Sequence, residues 1–213
     1  LGRVLAVPEN RAREQRDVRP AEETEEQLVI LERDEALPLA PGSGLPQRRG
    51  PEEDLARDRA PAEEEVVPHI RRVVGNDRAR LGVTGASFGA FHAANTLFRR
   101  PDLFDAVIAM SGFYDLEPDY FHGYSDDNCY FNNPAWYVPQ LGGEYLHLLQ
   151  TACKVHILTG QGAYEAPEAS QSFARLLDSK GIPLRLELWG HDVNHDWPWW
   201  RKMLPYAIDV MGW

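Results

Sequence analysis

The segment Gly85-Ala-Ser-Phe-Gly89 contains the serine best suited to covalent chemistry in this sequence. Its pattern, G-x-S-x-G, stands between a stretch typical of a strand and a stretch typical of a helix, which is the context of a nucleophile elbow. Small residues around Ser87 let neighbouring backbone approach, and the helix N-terminus behind it favours negative charge. The sequence therefore predicts Ser87 as a nucleophile and the backbone N–H of Phe88 as an oxyanion donor.

A serine nucleophile needs a general base, and the segment from Gly190 to Pro198 contains two histidines. When serine, acid and histidine follow one another in that order, the base lies on the loop that leads into the last helix. His195 comes immediately before that helix, so we favour it over His191. The histidine that is not the base would have a structural role within the loop.

The acid that orients the imidazole is expected after the preceding strand, in the loop that ends at Glu165. Glu165 is the candidate that we favour. Glu168 is the alternative, but it follows Pro167 and has the position of a first-turn carboxylate stabilised by the helix dipole. The predicted triad is therefore Ser87, Glu165 and His195, acting through an acyl-enzyme.

Four neighbouring side chains form an alternative set of metal ligands: His191, Asp192, His195 and Asp196. A His-x-x-x-His spacing puts two imidazoles on one face of a helix. However, Trp189-Gly190 and Pro198 favour a loop here, and no other ligand cluster is evident. We therefore predict no metal and no cofactor.

Strands and helices alternate along the chain from residue 63 onward. Predicted strands are Arg80–Thr84, Asp105–Met110, Cys153–Leu158 and Leu184–Trp189. Predicted helices are Glu63–Val74 (or only from Pro68), Phe88–Arg99, Pro167–Ser179 and Pro198–Met211, with residues 111–150 less regular. This alternation predicts an α/β fold with a mainly parallel sheet covered by helices on both faces.

Aromatic residues are dense between residues 113 and 141. Such rings can line a pocket for an aromatic or sugar-bearing ester, and we predict Tyr114, Tyr130 and Trp136 as substrate-binding residues. The alternative is that the rings pack a cap onto the sheet.

The composition of the 213 residues excludes several classes of protein. A net charge of −11 argues against a nucleic-acid partner, which needs a basic face. No apolar run reaches the length of a membrane span, and two cysteines are too few for a disulfide scaffold. With no recognisable signal peptide, the sequence favours a cytoplasmic protein whose partner is a small-molecule ester, and it does not predict an oligomeric state.

Residues 1–65 differ in composition from the rest of the chain. They are rich in Arg, Glu, Ala and Pro, and they contain none of the aromatic residues. The apolar pieces Arg3–Val7 and Gln27–Leu31 fit short strands, and the alternatives are a solvated tail or a stretch translated from a shifted frame. We therefore divide the chain into an atypical segment, residues 1–65, and a catalytic domain, residues 66–213.

Several segments resemble the esterase family of α/β-hydrolases that includes enterochelin esterases, esterase D and some feruloyl esterases. The matching segments are Glu64–Pro68, Gly82–Ala90, Arg100–Phe104, Met110–Asp115, Tyr130–Pro134, Lys180–Pro183 and His195–Arg201. The elbow and the segment His195-Asp-Trp-Pro198 are the specific parts of a resemblance that covers residues 63–213. It implies an α/β-hydrolase fold and a serine carboxylic-ester hydrolase with Ser87 as nucleophile and His195 as base.

The sequence departs from that family in two places. Family members often carry Asp on the loop where this chain has Glu165. The family also supplies early strands and a Gly-containing oxyanion loop before the elbow, and residues 1–62 do not resemble them, so the second oxyanion donor is unidentified. The alternative functions are a weakened or non-catalytic relative that serves as a binding protein, and an acyltransferase on the same fold.

Overall fold

The computed structural model describes residues 4–6, 29–33 and 65–212, which are organised around a six-stranded sheet. The strands are β1 (Val4–Ala6), β2 (Val29–Arg33), β3 (Arg80–Ala86), β4 (Phe104–Met110), β5 (Lys154–Thr159) and β6 (Leu184–Leu188). Their order across the sheet is β1-β6-β5-β4-β3-β2. All neighbours pair in parallel except β2, which runs antiparallel to β3. The predicted mainly parallel sheet is confirmed.

Helices connect the strands and cover both faces of the sheet. They are α1 (Val67–Val74), α2 (Phe88–Arg99), α3 (Asp127–Phe131), α4 (Pro134–Tyr137), α5 (Gly143–Thr151), α6 (Pro167–Ser179) and α7 (Trp197–Met211). A π-helical turn at Glu117–Phe121 and a 3-10 turn at Val138–Gln140 complete the described set. Within the described ranges, every helix is too short or too polar to cross a bilayer.

Strand β4 shows why the sheet needs a helical layer on each side. Val107 and Ala109 lie in one apolar core, whereas Ile108 and Met110 lie in the other. Helices α2 and α6 fill the first core with the side chains of Leu97, Phe98, Phe173 and Leu177. Helix α7 fills the second core with the side chains of Trp200, Met203 and Ala207. Because successive residues of a strand point to opposite faces, an unbroken apolar run must be covered twice.

The carboxyl ends of β3, β4 and β5 lie side by side. Ala86 pairs with Met110, and Met110 pairs with Leu158. Beyond these pairs, the N–H of Ser87 donates to the Met110 carbonyl (2.9 Å) and the N–H of Ser111 donates to the Leu158 carbonyl (2.7 Å). The register therefore brings the residues that follow three strands to one edge of the sheet.

Residues 111–150 contain more helix than the sequence indicates. Helices α3 and α4 and all but the last residue of α5 fall in this range, and the sequence pattern does not indicate them. Helix α3 begins after Asp126, whose carboxylate accepts the N–H of Cys129 at 2.7 Å. Helices α3 and α4 are too short to show a hydrophobic period, and the nine residues of α5 are fewer than the window in which such a period is recognised.

Both N-terminal apolar pieces contribute strands. The predicted pieces Arg3–Val7 and Gln27–Leu31 overlap β1 and β2, which form the two edges of the sheet. The other residues before 65 lie outside the described part of the chain. The predicted domain boundary and the tail and shifted-frame alternatives for those residues therefore stay predictions.

Glu187, the penultimate residue of β6, is a buried carboxylate outside the predicted triad, with 0% of its side chain exposed. It contacts His156 at 3.3 Å, accepts a hydrogen bond from the guanidinium of Arg185, and accepts the Tyr206 hydroxyl at 3.1 Å. Burial would raise the pKa of Glu187, but hydrogen bonds with His156 and Arg185 bring it below its ordinary value. This carboxylate therefore ties β5, β6 and α7 together.

We expect Glu187→Gln to lower the free energy of unfolding by about 2 kcal/mol, because it removes the charge from a buried carboxylate that accepts several hydrogen bonds. The measurement is urea unfolding followed by circular dichroism. Glu168→Gln, at an exposed position in the first turn of α6, is the control, with an expected loss below about 1 kcal/mol. Equal losses in the two variants would contradict the role given to Glu187.

Candidate active site

Ser87 lies in a strained turn between β3 and α2. Its φ of 55° and ψ of −122° belong to a region that side-chain-bearing residues rarely adopt. Gly85 makes the turn possible, because a β-carbon there would overlap the backbone of Gly89. The strand–turn–helix context that the G-x-S-x-G pattern predicts is present, and such strain is characteristic of functional sites.

The imidazole of His195 stands beside Ser87. Its Nε2 is 2.8 Å from the Ser87 Oγ. Asp196 caps the N-terminus of α7, and the N–H of His195 donates to the Ala163 carbonyl at 3.0 Å. His191 is exposed on the same loop, so His195 is the histidine that the structure brings to Ser87.

Backbone contacts hold the loop after β5 against the loop before α7. The N–H of Gly162 donates to the Val193 carbonyl at 2.8 Å, and the N–H of Ala163 donates to the Asn194 side-chain oxygen at 2.8 Å. A β-carbon on Gly162 would overlap Asn194, so glycine is required at this approach. The two loops that carry the predicted acid and base are therefore bonded directly to each other.

The carboxylate of Glu165 is enclosed behind the imidazole, with 0% of its side chain exposed. Its Oε2 is 3.5 Å from the His195 Nδ1 and accepts the Thr159 hydroxyl at 3.1 Å. Its Oε1 accepts the Ser111 hydroxyl at 2.7 Å. Glu168 is exposed in the first turn of α6, so Glu165 is the carboxylate that the structure places at the imidazole.

The groups around Glu165 lower the pKa of its carboxyl group. Burial alone would raise the pKa of this carboxyl, but its contact with the imidazole of His195 and the hydrogen bond from Ser111 bring it below its ordinary value. The group is therefore an anion at neutral pH. At 3.5 Å the contact between its Oε2 and the His195 Nδ1 is longer than an ordinary hydrogen bond.

Phe88 opens helix α2, so its backbone N–H belongs to the first turn, whose N–H groups have no partner within a helix. Its use as an oxyanion donor stays a prediction. The second donor is expected from a loop that precedes the elbow in the sequence, and the described residues do not identify it.

The predicted substrate-binding residues differ in their surroundings. Tyr114 is 2% exposed and stacks on Phe173 with 4.3 Å between ring centroids. This burial corrects the prediction that Tyr114 lines the substrate site, because its ring is part of the core. Tyr130 and Trp136 are half-buried, and Trp136 packs against Phe121; their predicted role is untested.

Three rings, Phe88, Phe113 and Tyr120, form a ring cluster beside the nucleophile. Their centroids form a triangle, 5.5 Å apart between Phe88 and Phe113, 6.0 Å apart between Phe113 and Tyr120, and 6.3 Å apart between Phe88 and Tyr120. Tyr120 is 60% exposed in this ring cluster. The aromatic density of the sequence indicated rings near this site, but nothing in the sequence showed which of them face Phe88.

Comparison with known proteins identifies the type of fold and site. The model of the prolyl oligopeptidase family matches residues 74–198, more than half of the chain. No curated protein sequence matches significantly. A solved ferulic acid esterase is 22% identical, with a TM-score of 0.53, over 68% of this chain and 55% of its own.

Two solved S-formylglutathione hydrolases are also similar. The enzyme from Staphylococcus aureus is 16% identical over 60% of this chain and 49% of its own, with a TM-score of 0.46. The enzyme from Agrobacterium tumefaciens is 16% identical over 72% of this chain and 55% of its own, with a TM-score of 0.45. The chain thus spans about half the length of these structures. The family match and the fold of the ferulic acid esterase confirm the predicted resemblance to serine hydrolases of the α/β-hydrolase fold.

The lowered pKa of Glu165 makes stability depend on pH. A group whose pKa is lower in the folded state stabilises that state above its unfolded pKa, and this contribution is lost as the pH falls through the folded pKa. We therefore expect Glu165→Gln to lose less unfolding free energy than the wild type between neutral and acid pH, measured by urea unfolding at a series of pH values. Glu168→Gln should keep the wild-type dependence; a parallel dependence in Glu165→Gln would contradict the assignment.

Proposed function

The chain belongs to the prolyl oligopeptidase family, and we propose that it hydrolyses carboxylic esters through an acyl-enzyme formed on Ser87. The observation that carries the proposal is the 2.8 Å distance between the His195 Nε2 and the Ser87 Oγ. A hydroxyl, an imidazole and a buried carboxylate in line form the arrangement of nucleophilic acyl transfer. The match to a family of serine hydrolases supports the same class of chemistry.

Acylation follows from the order of these groups. The Ser87 oxygen attacks the ester carbonyl carbon while His195 takes the hydroxyl proton at Nε2. The ionised Glu165 stabilises the imidazolium, and the N–H of Phe88 donates to the carbonyl oxygen as it becomes an oxyanion. Collapse of the tetrahedral intermediate breaks the bond to the alcohol, which leaves with the proton held by His195.

In deacylation, water attacks from the position that the alcohol has left. Water attacks the carbonyl carbon of the acyl-Ser87 ester, and His195 takes the proton that the water loses. The second tetrahedral intermediate collapses to the free carboxylic acid, and the proton returns to the Ser87 oxygen. Glu165 keeps its charge throughout, so the site is restored without a cofactor.

The ring cluster of Phe88, Phe113 and Tyr120 supports a substrate with a planar aromatic group. The planes of the three rings lie within 25° of one another, so a flat aromatic ring can pack against them in the offset arrangement that aromatic pairs prefer. Because Phe88 follows Ser87 directly, such a ring would lie beside the carbonyl under attack. We propose a small aromatic ester as the substrate, with Tyr130 and Trp136 at the edge of the site, in a cytoplasmic enzyme.

The family match favours one further activity, the hydrolysis of a peptide amide. An amide would pass through the same acyl-enzyme and needs the same three residues, with an amine as the leaving group. An aryl ester and an aryl amide that share one acyl group separate the two activities in a single assay. Faster turnover of the ester is expected from the proposal above.

The nucleophile is tested by intact-mass analysis after labelling with a fluorophosphonate. We expect one adduct on the wild type, no adduct on Ser87→Ala, and ester hydrolysis reduced by about 10³-fold or more in that variant. Ser170→Ala is the control, because Ser170 is a buried serine that bonds the Gly112 carbonyl, and it should label like the wild type. Unchanged hydrolysis by Ser87→Ala would refute the mechanism.

The ring cluster is tested by Tyr120→Ala with two esters of one alcohol, an aromatic acyl ester and an acetyl ester. We expect kcat/KM for the aromatic ester to fall by about 5-fold relative to the acetyl ester, because one ring–ring contact is lost. Tyr124→Ala is the matched control, since Tyr124 is equally exposed but bonds Asp126. An equal fall with both esters would show that Tyr120 does not contact the aromatic group.

A further inference from the structure

We propose that Ser111 is a positioning residue, whose hydroxyl holds the carboxylate of Glu165 in line with His195 while the indole N–H of Trp200 holds that hydroxyl. The proposal deepens the function proposed above and depends on it for its catalytic consequence. Ser111 is no part of the predicted triad, and it touches neither the nucleophile nor the attacked carbonyl in the mechanism.

The backbone of Ser111 is strained. Ser111 follows β4. This strand lies between β3, which precedes Ser87, and β5, which precedes the loop of Glu165. It is 5% exposed and has a φ of 52°, a left-handed conformation that is rare for a residue with a side chain. A buried residue keeps such strain only where its surroundings impose it, and these positions cluster at functional sites.

The hydroxyl of Ser111 has one hydrogen-bond donor and one hydrogen-bond acceptor beside it. Trp200 donates its indole N–H to the Ser111 oxygen at 3.0 Å. An indole N–H can only donate, so the Ser111 hydroxyl cannot give its own proton to Trp200. That proton is directed to the Glu165 Oε1, 2.7 Å away. The bond from Trp200 of α7 therefore fixes the orientation of the Ser111 hydroxyl, which then donates to the carboxylate.

The two oxygens of Glu165 are consequently not equivalent. Ser111 holds Oε1, whereas Oε2 accepts the Thr159 hydroxyl and faces the His195 Nδ1. Rotation of the carboxylate would break the bond to Ser111, so Oε2 stays toward the imidazole. Trp200 also packs edge-on against the His195 ring, at 5.0 Å and 88°. One indole thus touches the base and holds the group that orients the acid.

The test compares Ser111→Ala and Ser111→Gly with Ser170→Ala. Both Ser111 variants lack the hydroxyl, but glycine also tolerates the positive φ, so it guards against a loss of folding in the alanine variant. Ser170 is a second buried serine nearby that donates to the Gly112 carbonyl rather than to the triad. Circular dichroism confirms that each variant folds, and carbon NMR of the labelled carboxyl groups gives the pKa of Glu165 directly.

Loss of the hydroxyl should raise the pKa of Glu165, because the bond to Ser111 is one of those that lower it. We expect both Ser111 variants to show this rise and a fall in kcat of about 10-fold or more with little change in KM. Trp200→Phe keeps a ring against His195 but has no N–H, and it should raise the pKa in the same direction by a smaller amount. Ser170→Ala should change neither value.

An unchanged pKa and kcat in the two Ser111 variants would overturn the proposal, as would equal changes in Ser170→Ala. The NMR readout needs no turnover. If the wild type hydrolyses no ester while the Glu165 pKa still rises in both Ser111 variants, the positioning role stands and the proposed function fails. If the wild type is active and the pKa is unmoved, the positioning role fails and the proposed function stands.

Discussion

Parallel pairing of β3, β4 and β5 is the constraint on which the candidate site depends. Three strands that run in the same direction must each be followed by a connection that starts at the same edge of the sheet. Here those connections begin with Ser87, with Ser111 and with the loop that carries Glu165. An antiparallel neighbour would place one of these groups at the far edge. The direction of the strands alone therefore brings the three connections to one edge of the sheet, whatever side chains they carry.

The same edge concentrates features that oppose folding. Ser87 and Ser111 both have positive φ values, and such conformations cost on the order of 1–3 kcal/mol each. Glu165 is a carboxylate removed from water, which is unfavourable unless hydrogen bonds replace those of the solvent. The two apolar cores on either side of β4 offset these costs. Stability is thus supplied by the layers of the sheet, while its carboxyl edge holds strained and charged groups in place.

Much of the site was predictable because its signals are local. The G-x-S-x-G pattern identifies Ser87, and chain order selects Glu165 and His195 once the strands are recognised; the structure brings all three together. Ser111 was not predicted, because its significance depends on neighbours 54 and 89 residues away along the chain. Tyr114 was assigned wrongly, since an irregular segment has no period that tells a buried ring from an exposed one. The order of the strands likewise depends on pairing between distant segments.

The spacing of the site along the chain has a consequence during synthesis. Ser87 and His195 are 108 residues apart, so a ribosome needs roughly 5 to 20 s to add the second after the first. Strand β3 and helix α2 can form in that interval, but Ser87 then has no base, and Glu165 has no imidazole beside it. Under the proposed mechanism, a nascent chain would therefore carry Ser87 without its base. The serine would become reactive only when the loop before α7 and Trp200 dock on the finished sheet.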